Sequence, residues 1–595
     1  MCGIIGILQE KENIIPLLIN CLKQLKNRGY DSAGIGFVEG NKLNIKKKAA
    51  SVNEDVFEFL KDINFTSNCG IGHTRWATHG PKIDKNSHPH KSYDGICMVV
   101  HNGIIENYID IKKKLKDYSF NSDTDSEVIS NLISYYYKIY NDREKAINYS
   151  LKELRGTWGL VIMFTDAPNT LYCCRHGSPL LISQCANIFI TSSEQSGFCN
   201  LTQDYIALQN GDLCIATLEN EKLVVSYSFG YIPKKITTFV EECLPDKYTH
   251  WTLKEIEEQV HSCGSAINFG ARIKDNIVSL GGLYNRRSEL QKVTNIILLG
   301  CGTSYNAALA SRTFFKKFAK FNTVQVFDGA EFERQDIPQT GKTLLILVSQ
   351  SGETRDLHRC LSYKEDCETL GIINVVDSLI AREVDCGVYT NCGREIAVAS
   401  TKSFTSQLLV LSLVAMWFGH YHKKIMFEKS LDDCRILSIQ IDETLKKCKK
   451  SVIKKCNKKS IFILGKYDLE SIAKEGALKI KEMSYIHAEG YSASSLKHGT
   501  FALLDENVVV ILLIEKNTCS EMLNVYEQIK SRDCSIFIIS EEGCEIESDI
   551  SVPQNNTYYQ LLISIVLQYI GYMLAVENNI NPDFPRNLAK VVTVD

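Results

Sequence analysis

The chain has 595 residues, 44% of them hydrophobic and 23% charged, with a formal net charge of −3. That length exceeds what one hydrophobic core supports and predicts about two to four domains. The near-neutral balance gives no reason to expect nucleic acid or an anionic membrane as partner, and the 22 cysteines include no C-x-x-C pair, so zinc ribbons and thioredoxin-like redox motifs have no support.

The chain opens with MCGIIGI. This start lacks the basic residues and the apolar length of a secretory signal, so reduced thiols and a cytoplasmic protein are expected. Removal of Met1 would make Cys2 the first residue, with a thiol and a free α-amine on one residue. An α-amine with a reference pKa of about 8 can take the thiol proton at neutral pH. The first ~235 residues are glycine-punctuated and strand-rich, in runs such as YDSAGIGFVEG, GICMVVHNGII and GTWGLVIMFTD, with an amphipathic helix expected from Asp125 through Tyr140. Three motifs supply polar groups there. HTRWATHG gives Arg75, Trp76, Thr78 and His79; VVHNGIIEN gives Asn102 and Gly103; NSDTDSEVI gives Asp123 and Asp125. With Cys2 they compose an amide-hydrolysing set. The Asn102 amide and the Gly103 N–H can hold an oxyanion, and an arginine and an aspartate can bind the two charges of a free amino acid. Taken alone, Asp125 is a good helix cap and Arg75 a surface charge.

Around Pro245 the texture turns polar and acidic, which predicts a linker at 239–252 after a first domain at 2–238. An internal repeat follows. TNIILLGCGTSYNAALASRTFF parallels KSIFILGKYDLESIAKEGALKI, KTLLILVSQSGETRD parallels NVVVILLIEKNTCSE, and SQLLVLSLVAMW parallels YQLLISIVLQYI. The offset of roughly 150–170 residues is the size of a domain. Alternating strands and helices predict an α/β architecture of two doubly wound parallel-sheet domains, 253–435 and 436–585, with a tail at 586–595. Two uncharged stretches, from Ser403 and from Tyr558, are at the short end for membrane spans and are expected as buried core helices.

Doubly wound sheets bind ligands beyond the carboxyl ends of their strands. In the first copy, SQSGET places Ser349, Gln350, Ser351 and Thr354 after a strand, with Gly352 allowing close backbone approach and a helix start supplying N–H groups. GCGTS, with Thr303 and Ser304, is a second such turn. Together they predict a phosphate cradle; IEKNTCSE in the second copy lacks the pattern. Glu475, Lys479 and Glu482 fall within about 60° on one helical face. They compose either a surface salt-bridge stripe or an acid–base set. His498 in LKHGT is either structural or an acid–base group. Lys590, in the apolar tail FPRNLAKVVTVD, is either a solvated lysine or an imine-forming one.

CGIIGI, NRGYDSAG, GHTRWATHG, HNGIIEN and TDSEVI resemble the class II, N-terminal-nucleophile (Ntn) glutamine amidotransferases. GCGTSYNA, SQSGET, VASTKSFTSQ, EGALKIKEMSYIHAE, LKHG and NLAKVVTVD resemble the sugar isomerase (SIS) domains joined to them in the enzymes that aminate fructose 6-phosphate. The resemblance runs from residue 2 to residue 595 in the family's order. It implies a four-layer αββα domain followed by two flavodoxin-like domains. It also implies conversion of L-glutamine and D-fructose 6-phosphate to L-glutamate and D-glucosamine 6-phosphate, the first step toward UDP-N-acetylglucosamine. No cofactor and no metal are implied, and the family is a homodimer or higher oligomer. By the same resemblance Cys2 attacks the glutamine amide, and Arg75, Thr78, His79 and Asp125 bind glutamine. Asn102 and Gly103 form the oxyanion hole, and Trp76 gates an ammonia passage. Thr303, Ser304, Ser349, Gln350, Ser351 and Thr354 hold the sugar phosphate, with backbone contacts from Val398 and Ala589. His498 assists ring opening and Lys590 holds the open sugar as an imine. Glu482 moves a proton from C1 to C2, Lys479 steadies the negative charge and Glu475 assists. Two departures stand out: SSLKHGT where the family reads GELKHGP, and LGKY at Leu464–Tyr467 where it reads LGRG. Other class II amidotransferases would need an acidic diphosphosugar stretch or a Ser-Gly-Gly pyrophosphate loop, and neither is found. A non-catalytic sugar-phosphate sensor would not need Glu482, His498, Lys590 and a complete Cys2 half.

Overall fold

The computed structural model describes every residue except 1, 11, 40–41, 52–54, 62, 64, 78–79, 237–244, 424, 451–452 and 592–595. Met1, Thr78, His79 and the first part of the expected linker therefore lie outside the described residues. The chain divides into two compact units, residues 1–244 with 591–594, and residues 245–590 with 595.

The first unit is built on an eight-stranded and a six-stranded sheet. The strand Gly3–Gln9 lies in the middle of the larger sheet, antiparallel to both Cys69–Arg75 and Ile188–Ser192, and every one of its residues is buried. Its side chains alternate between two cores, as a strand's period of two requires. Ile5 and Ile7 pack with Leu18 and Leu22 of the helix Ile15–Lys23, whereas Ile4 and Leu8 pack with Val161 and Met163 of the second sheet. The strand Cys97–Ile105 repeats this on the second sheet. Met98 and Val100 face the sheet–sheet core, and Cys97 and Val99 face Val128, Leu132 and Ile147 on the helices Glu127–Tyr140 and Arg143–Glu153. Three cores between helix, sheet, sheet and helix make the four-layer αββα arrangement.

The second unit holds two five-stranded sheets, each wholly parallel. One runs in the order 323–328, 293–300, 342–349, 368–373, 386–389, and the other in the order 487–492, 460–465, 508–514, 535–541, 550–552. Counted along the chain, both orders are 2-1-3-4-5, the flavodoxin-like winding. The sequence repeat is thus a repeat of topology. The helices Lys402–Lys423 and Tyr559–Glu577 are long and apolar enough to cross a membrane, but 94% and 83% of their apolar windows are buried within the protein. Leu408, Leu411 and Val414 of the first share one core with Leu562, Ile565 and Val566 of the second. Their hydroxyls are used inside it, as in the bond of 2.9 Å between Ser412 Oγ and Tyr558 OH. They are core helices.

Candidate active sites

Pairing of Gly3 with Thr74 sets Cys2 beside the end of the strand Cys69–Arg75. Trp76 N–H donates to Cys2 Sγ at 3.3 Å, and the thiol faces Trp76 O at 3.6 Å. Burial of the sulfur pushes the thiol pKa up, and the Trp76 N–H and the Arg75 charge offset only part of that. NRG has a steric reason: a Cβ on Gly29 would lie 2.5 Å from the Arg75 carbonyl carbon. Arg75 is 4% exposed. Burial lowers its pKa, opposed by attraction to Cys2, Asp31 and Asp125, so this cation and these acids belong to one electrostatic site.

Asn102 Nδ2 donates to Cys2 O at 2.6 Å. Gly103, next along the strand, has φ +134°, and a Cβ there would sit 2.0 Å from Thr157 O. Asp125 does not cap the helix that follows it. The helix begins at Glu127, and Asp125 Oδ2 instead accepts the Ile105 N–H at 2.7 Å, because that donor at the strand's end is buried with it. Arg75 is likewise no surface charge. Asp123 turns outward to Lys85 at 3.0 Å and Asn86 at 3.3 Å and does not join the Cys2 set. Sequence reasoning missed the buried histidines around Asn102, namely His73, His88, His90 and His101. Their signal was the density of histidine in GHTRW, SHPH and VVHN.

In the second unit the strands 293–300 and 342–349 are neighbours, so the turns that follow them emerge side by side. Ser349 Oγ accepts the Gly352 N–H at 2.9 Å and lies 3.3 Å from Thr354 Oγ1; Ser351 Oγ accepts the Glu353 N–H at 3.1 Å. Gly352 has φ +66°, and a Cβ there would meet Ser378 Oγ at 1.9 Å. Ser304 is fixed by Gln407 Nε2 at 3.1 Å. The helix after SQSGET is short, Arg355–Arg359, and the Val398 N–H is taken by Asp583 O at 3.0 Å.

Glu475, Lys479 and Glu482 share one face of the helix Leu469–Ser484. Lys479 Nζ lies 2.5 Å from Glu482 Oε2, 3.6 Å from Glu475 Oε1 and 2.9 Å from Thr303 Oγ1. Glu475 also accepts from Thr303 Oγ1 at 3.1 Å and Asn306 Nδ2 at 2.8 Å. With Lys479 at 0% and Glu475 at 1% exposure, this is no surface stripe. Burial lifts Glu475 to about 7 in spite of the Lys479 charge. Burial works against the Lys479 charge as well, but Glu482 and Glu475 outweigh it and hold that lysine's pKa up. Thr303 ties this cluster to the GCGTS turn.

Lys590 is not solvated. Its side chain is 2% exposed, and its Nζ pairs with Glu395 and lies 3.3 Å from Ser400 Oγ. Burial would raise the Glu395 pKa, but the Lys590 charge and the Thr401 and Ser403 N–H groups hold it at about 2. The same carboxylate raises Lys479, so the two lysines flank one anion. Glu395 and Glu255, which accepts the Ile396 and Ala397 N–H groups, were not read from the sequence. Only the placement of Glu395 within GREIAVASTK pointed to it. His498 is exposed on the short turn Leu496–His498, and among the described residues no hydrogen bond or ion pair joins it to the Glu475–Lys479–Glu482 cluster.

Residues 73–200 match the glutamine amidotransferase domain family, and residues 289–417 and 456–577 match the SIS domain family. Fold and sites together define a glutaminase-type domain joined to a tandem pair of sugar isomerase domains. A protein of Acanthamoeba polyphaga mimivirus, described as a probable glutamine–fructose-6-phosphate aminotransferase (isomerizing), is 39% identical over 619 residues, with 100% of both chains covered. Proteins of Fusobacterium nucleatum and Thermococcus kodakarensis described as that aminotransferase are 36% and 35% identical, again over 100% of both chains. The solved C-terminal domain of glucosamine-fructose-6-phosphate aminotransferase from Francisella tularensis superposes with a TM-score of 0.54 at 28% identity, over 57% of this chain and 100% of that one. The chain belongs to the glutamine–fructose-6-phosphate aminotransferase (isomerizing) family.

Proposed function

We propose that the protein converts D-fructose 6-phosphate and L-glutamine to D-glucosamine 6-phosphate and L-glutamate, in the cytoplasm and as a homodimer or larger oligomer. The observation that carries this reading is buried Lys479, bonded at once to Thr303 of the phosphate turn and to Glu482. A sugar phosphate held by that turn has an acid–base pair within reach.

In the first unit Cys2 attacks the amide carbon of glutamine, giving a γ-glutamyl thioester and ammonia, and water then releases glutamate. Asn102 and Gly103 hold the oxyanion, and Arg75 and Asp125 take the substrate's carboxylate and amine. Thr78 and His79 are assigned to glutamine by the resemblance. The α-amine that receives the thiol proton is exposed by loss of Met1. Trp76, whose backbone touches the sulfur on both its N–H and its C=O side, is positioned to respond to the state of the thiol.

In the second unit the sugar phosphate lies on Ser304, Ser349, Gln350, Ser351 and Thr354, with Thr303 bridging to the cluster and Val398 and Ala589 contributing backbone. Lys590 adds to the C2 carbonyl and water leaves, forming an imine; ammonia then adds to C2 and expels the Lys590 amine, leaving the imine of ammonia at C2. That imine acidifies the C1 hydrogens, so Glu482 can take one and return it to C2 while Lys479 neutralises the charge that develops. Glu475 assists. We assign ring opening to His498 on the resemblance alone. Free ammonia in water at neutral pH is mostly protonated, so its transfer to the imine must be sheltered.

Purified protein given both substrates should yield glucosamine 6-phosphate and glutamate in equal amounts. Cys2→Ala should abolish glutamine-dependent synthesis and leave sugar isomerisation largely intact. Absence of product from folded protein, or equal loss of both activities in the variant, overturns the reading; active protein whose intact mass keeps Met1 overturns the role of the amine.

A further inference from the structure

We infer that His73 is a positioning residue for glutamine hydrolysis: it holds the Asn102 side-chain amide so that its NH2 group, and not its oxygen, faces Cys2. The inference rests on the reading of Cys2 as the nucleophile.

The hydrogen bonds admit one consistent assignment. His73 Nε2 lies 3.0 Å from His101 O and 3.1 Å from Asn102 Oδ1. A backbone carbonyl only accepts, so Nε2 carries the proton. Among the described residues His73 Nδ1 has no hydrogen-bond partner. That is tolerable for a bare lone pair and costly for a buried N–H. With Nε2–H donating, the atom it meets on Asn102 must be Oδ1. The Asn102 Nδ2 then points the other way, where it donates to Cys2 O at 2.6 Å. Turning the amide over would set donor against donor at His73 and oxygen against oxygen at Cys2. An NH2 group has two hydrogens, so one can anchor on Cys2 O and the second remains for the oxyanion.

The imidazole is itself held in place. His73 stacks on His88 with ring centroids 4.0 Å apart and planes 18° apart, and it sits at 1% exposure on the central strand Cys69–Arg75. Burial drives its pKa down to about 3, so it stays neutral and keeps one tautomer over the working range of pH. The neighbouring His101 is fixed by Ser126 Oγ at 2.8 Å and Thr157 O at 3.2 Å. Asn102 therefore receives its orientation from a rigid donor rather than from solvent.

The test compares glutamine hydrolysis in His73→Leu, which cannot donate, with His73→Gln, which keeps a side-chain N–H. His73→Leu should lower kcat about 10- to 100-fold, at or below the low end of the range for outright loss of an oxyanion donor because the amide is misaligned and not removed, with KM for glutamine within about twofold. His73→Gln should restore most of that loss. In the double variant with Asn102→Ala the His73→Leu change should cost no more than about twofold, because both act through one amide. Alkylation of Cys2 by iodoacetamide should proceed in every variant as in the parent, which reports an intact thiol site. A wild-type kcat in His73→Leu, a loss confined to KM, or full multiplication of the two losses overturns the inference. Should His73→Leu fail to fold, nitrogen-15 NMR of the wild-type imidazole decides: Nε2–H is expected, and Nδ1–H refutes it. Hydrolysis that survives Cys2→Ala would instead sink the underlying reading of Cys2.

Discussion

Replacing Glu475 by glutamine should make the stability of the second unit less dependent on pH, by an amount the structure sets. Glu475 is an acid whose folded pKa, about 7, stands above its ordinary value of 4.5 because it is fully buried. The folded state then binds the proton more tightly than the unfolded chain between those values, so stability falls as pH rises from 4.5 to 7 and stays lower beyond. At about 1.36 kcal/mol per pH unit, the gap amounts to about 3 kcal/mol. In Glu475→Gln this titration is gone, while the amide keeps the shape and an oxygen for Thr303 or Asn306. Lys479 loses a partner at 3.6 Å that is charged only above about pH 7, an attraction already contained in that pKa, and keeps Glu482 at 2.5 Å. Urea unfolding at pH 4.5, 6 and 7.5, followed by amide exchange in peptides of the helix 469–484, should show the variant gaining on wild type by about 3 kcal/mol across the series. A limb near pH 7 in wild-type isomerisation should vanish with it. Parallel stability curves would refute the argument, since they would mean that burial of this carboxyl is not what raises its pKa.

Lys590→Arg keeps a cation against Glu395 and so keeps the fold, but it cannot form an imine; borohydride reduction with fructose 6-phosphate should label wild type and not the variant. Undiminished labelling would count against this lysine. Lys590→Ala should also destabilise the second unit by about 3–5 kcal/mol in urea unfolding, because Glu395 is left buried without its counter-charge. Tyr467 sits at φ +50° with 70% exposure, at the place where the family carries glycine. The left-handed conformation costs a side chain roughly 1–2 kcal/mol, so Tyr467→Gly should raise the unfolding free energy by up to about 1 kcal/mol once glycine's extra unfolded-state freedom is subtracted, read as a higher urea midpoint. A lowered midpoint would show that the contacts of Tyr467 OH with the Glu521 carboxylate, at 3.4 and 3.5 Å, outweigh the strain.

The strands of the first unit and the repeat of the second were legible in the sequence because they depend on local periodicity, whereas the four-layer stacking came from the family resemblance. Alternation in MCGIIGI and GICMVVHNGII is the alternation of two cores, and the paired runs near 294 and 459 are first strands of two like sheets. The site was legible only in part. The spacing of Glu475, Lys479 and Glu482 gave one helical face but not its burial, because that depends on Thr303 and Asn306, some 170 residues away in sequence. Asp125 taken alone also admitted the reading of a helix cap because the sequence cannot show that the Ile105 N–H competes for its carboxylate. Glu255 carried no signal for the same reason, and Glu395 only its place within GREIAVASTK. A glutamate amid polar residues looks solvated until a lysine tail or a loop's N–H groups close over it.

The two copies of the doubly wound fold differ in a way that supports the proposed phosphate cradle in the first alone. In the first, the strand end at Ser349 leads to neutral hydroxyls, and the backbone N–H groups of Gly352 and Glu353 meet serine oxygens that a stronger acceptor could displace. In the second, Glu515 stands at the place of Gln350 in the paired segments, and Glu541 closes the neighbouring strand. Glu541 accepts the Lys516 N–H at 3.1 Å and the Asn555 N–H at 2.8 Å. Burial raises the pKa of Glu515, and the nearby Glu541 and Asp468 raise it further, which marks the region as one that already repels negative charge. The donors that would greet a phosphate are occupied by a built-in carboxylate, and an incoming dianion would face like charges in a partly buried setting, where screening by water is weak. These features weigh against phosphate binding in the second copy. Its helix Leu469–Ser484 instead directs Glu475 and Lys479 at Thr303 of the first copy, so under the proposed function a duplicated fold yields one asymmetric site, with phosphate recognition from one half and acid–base groups from the other.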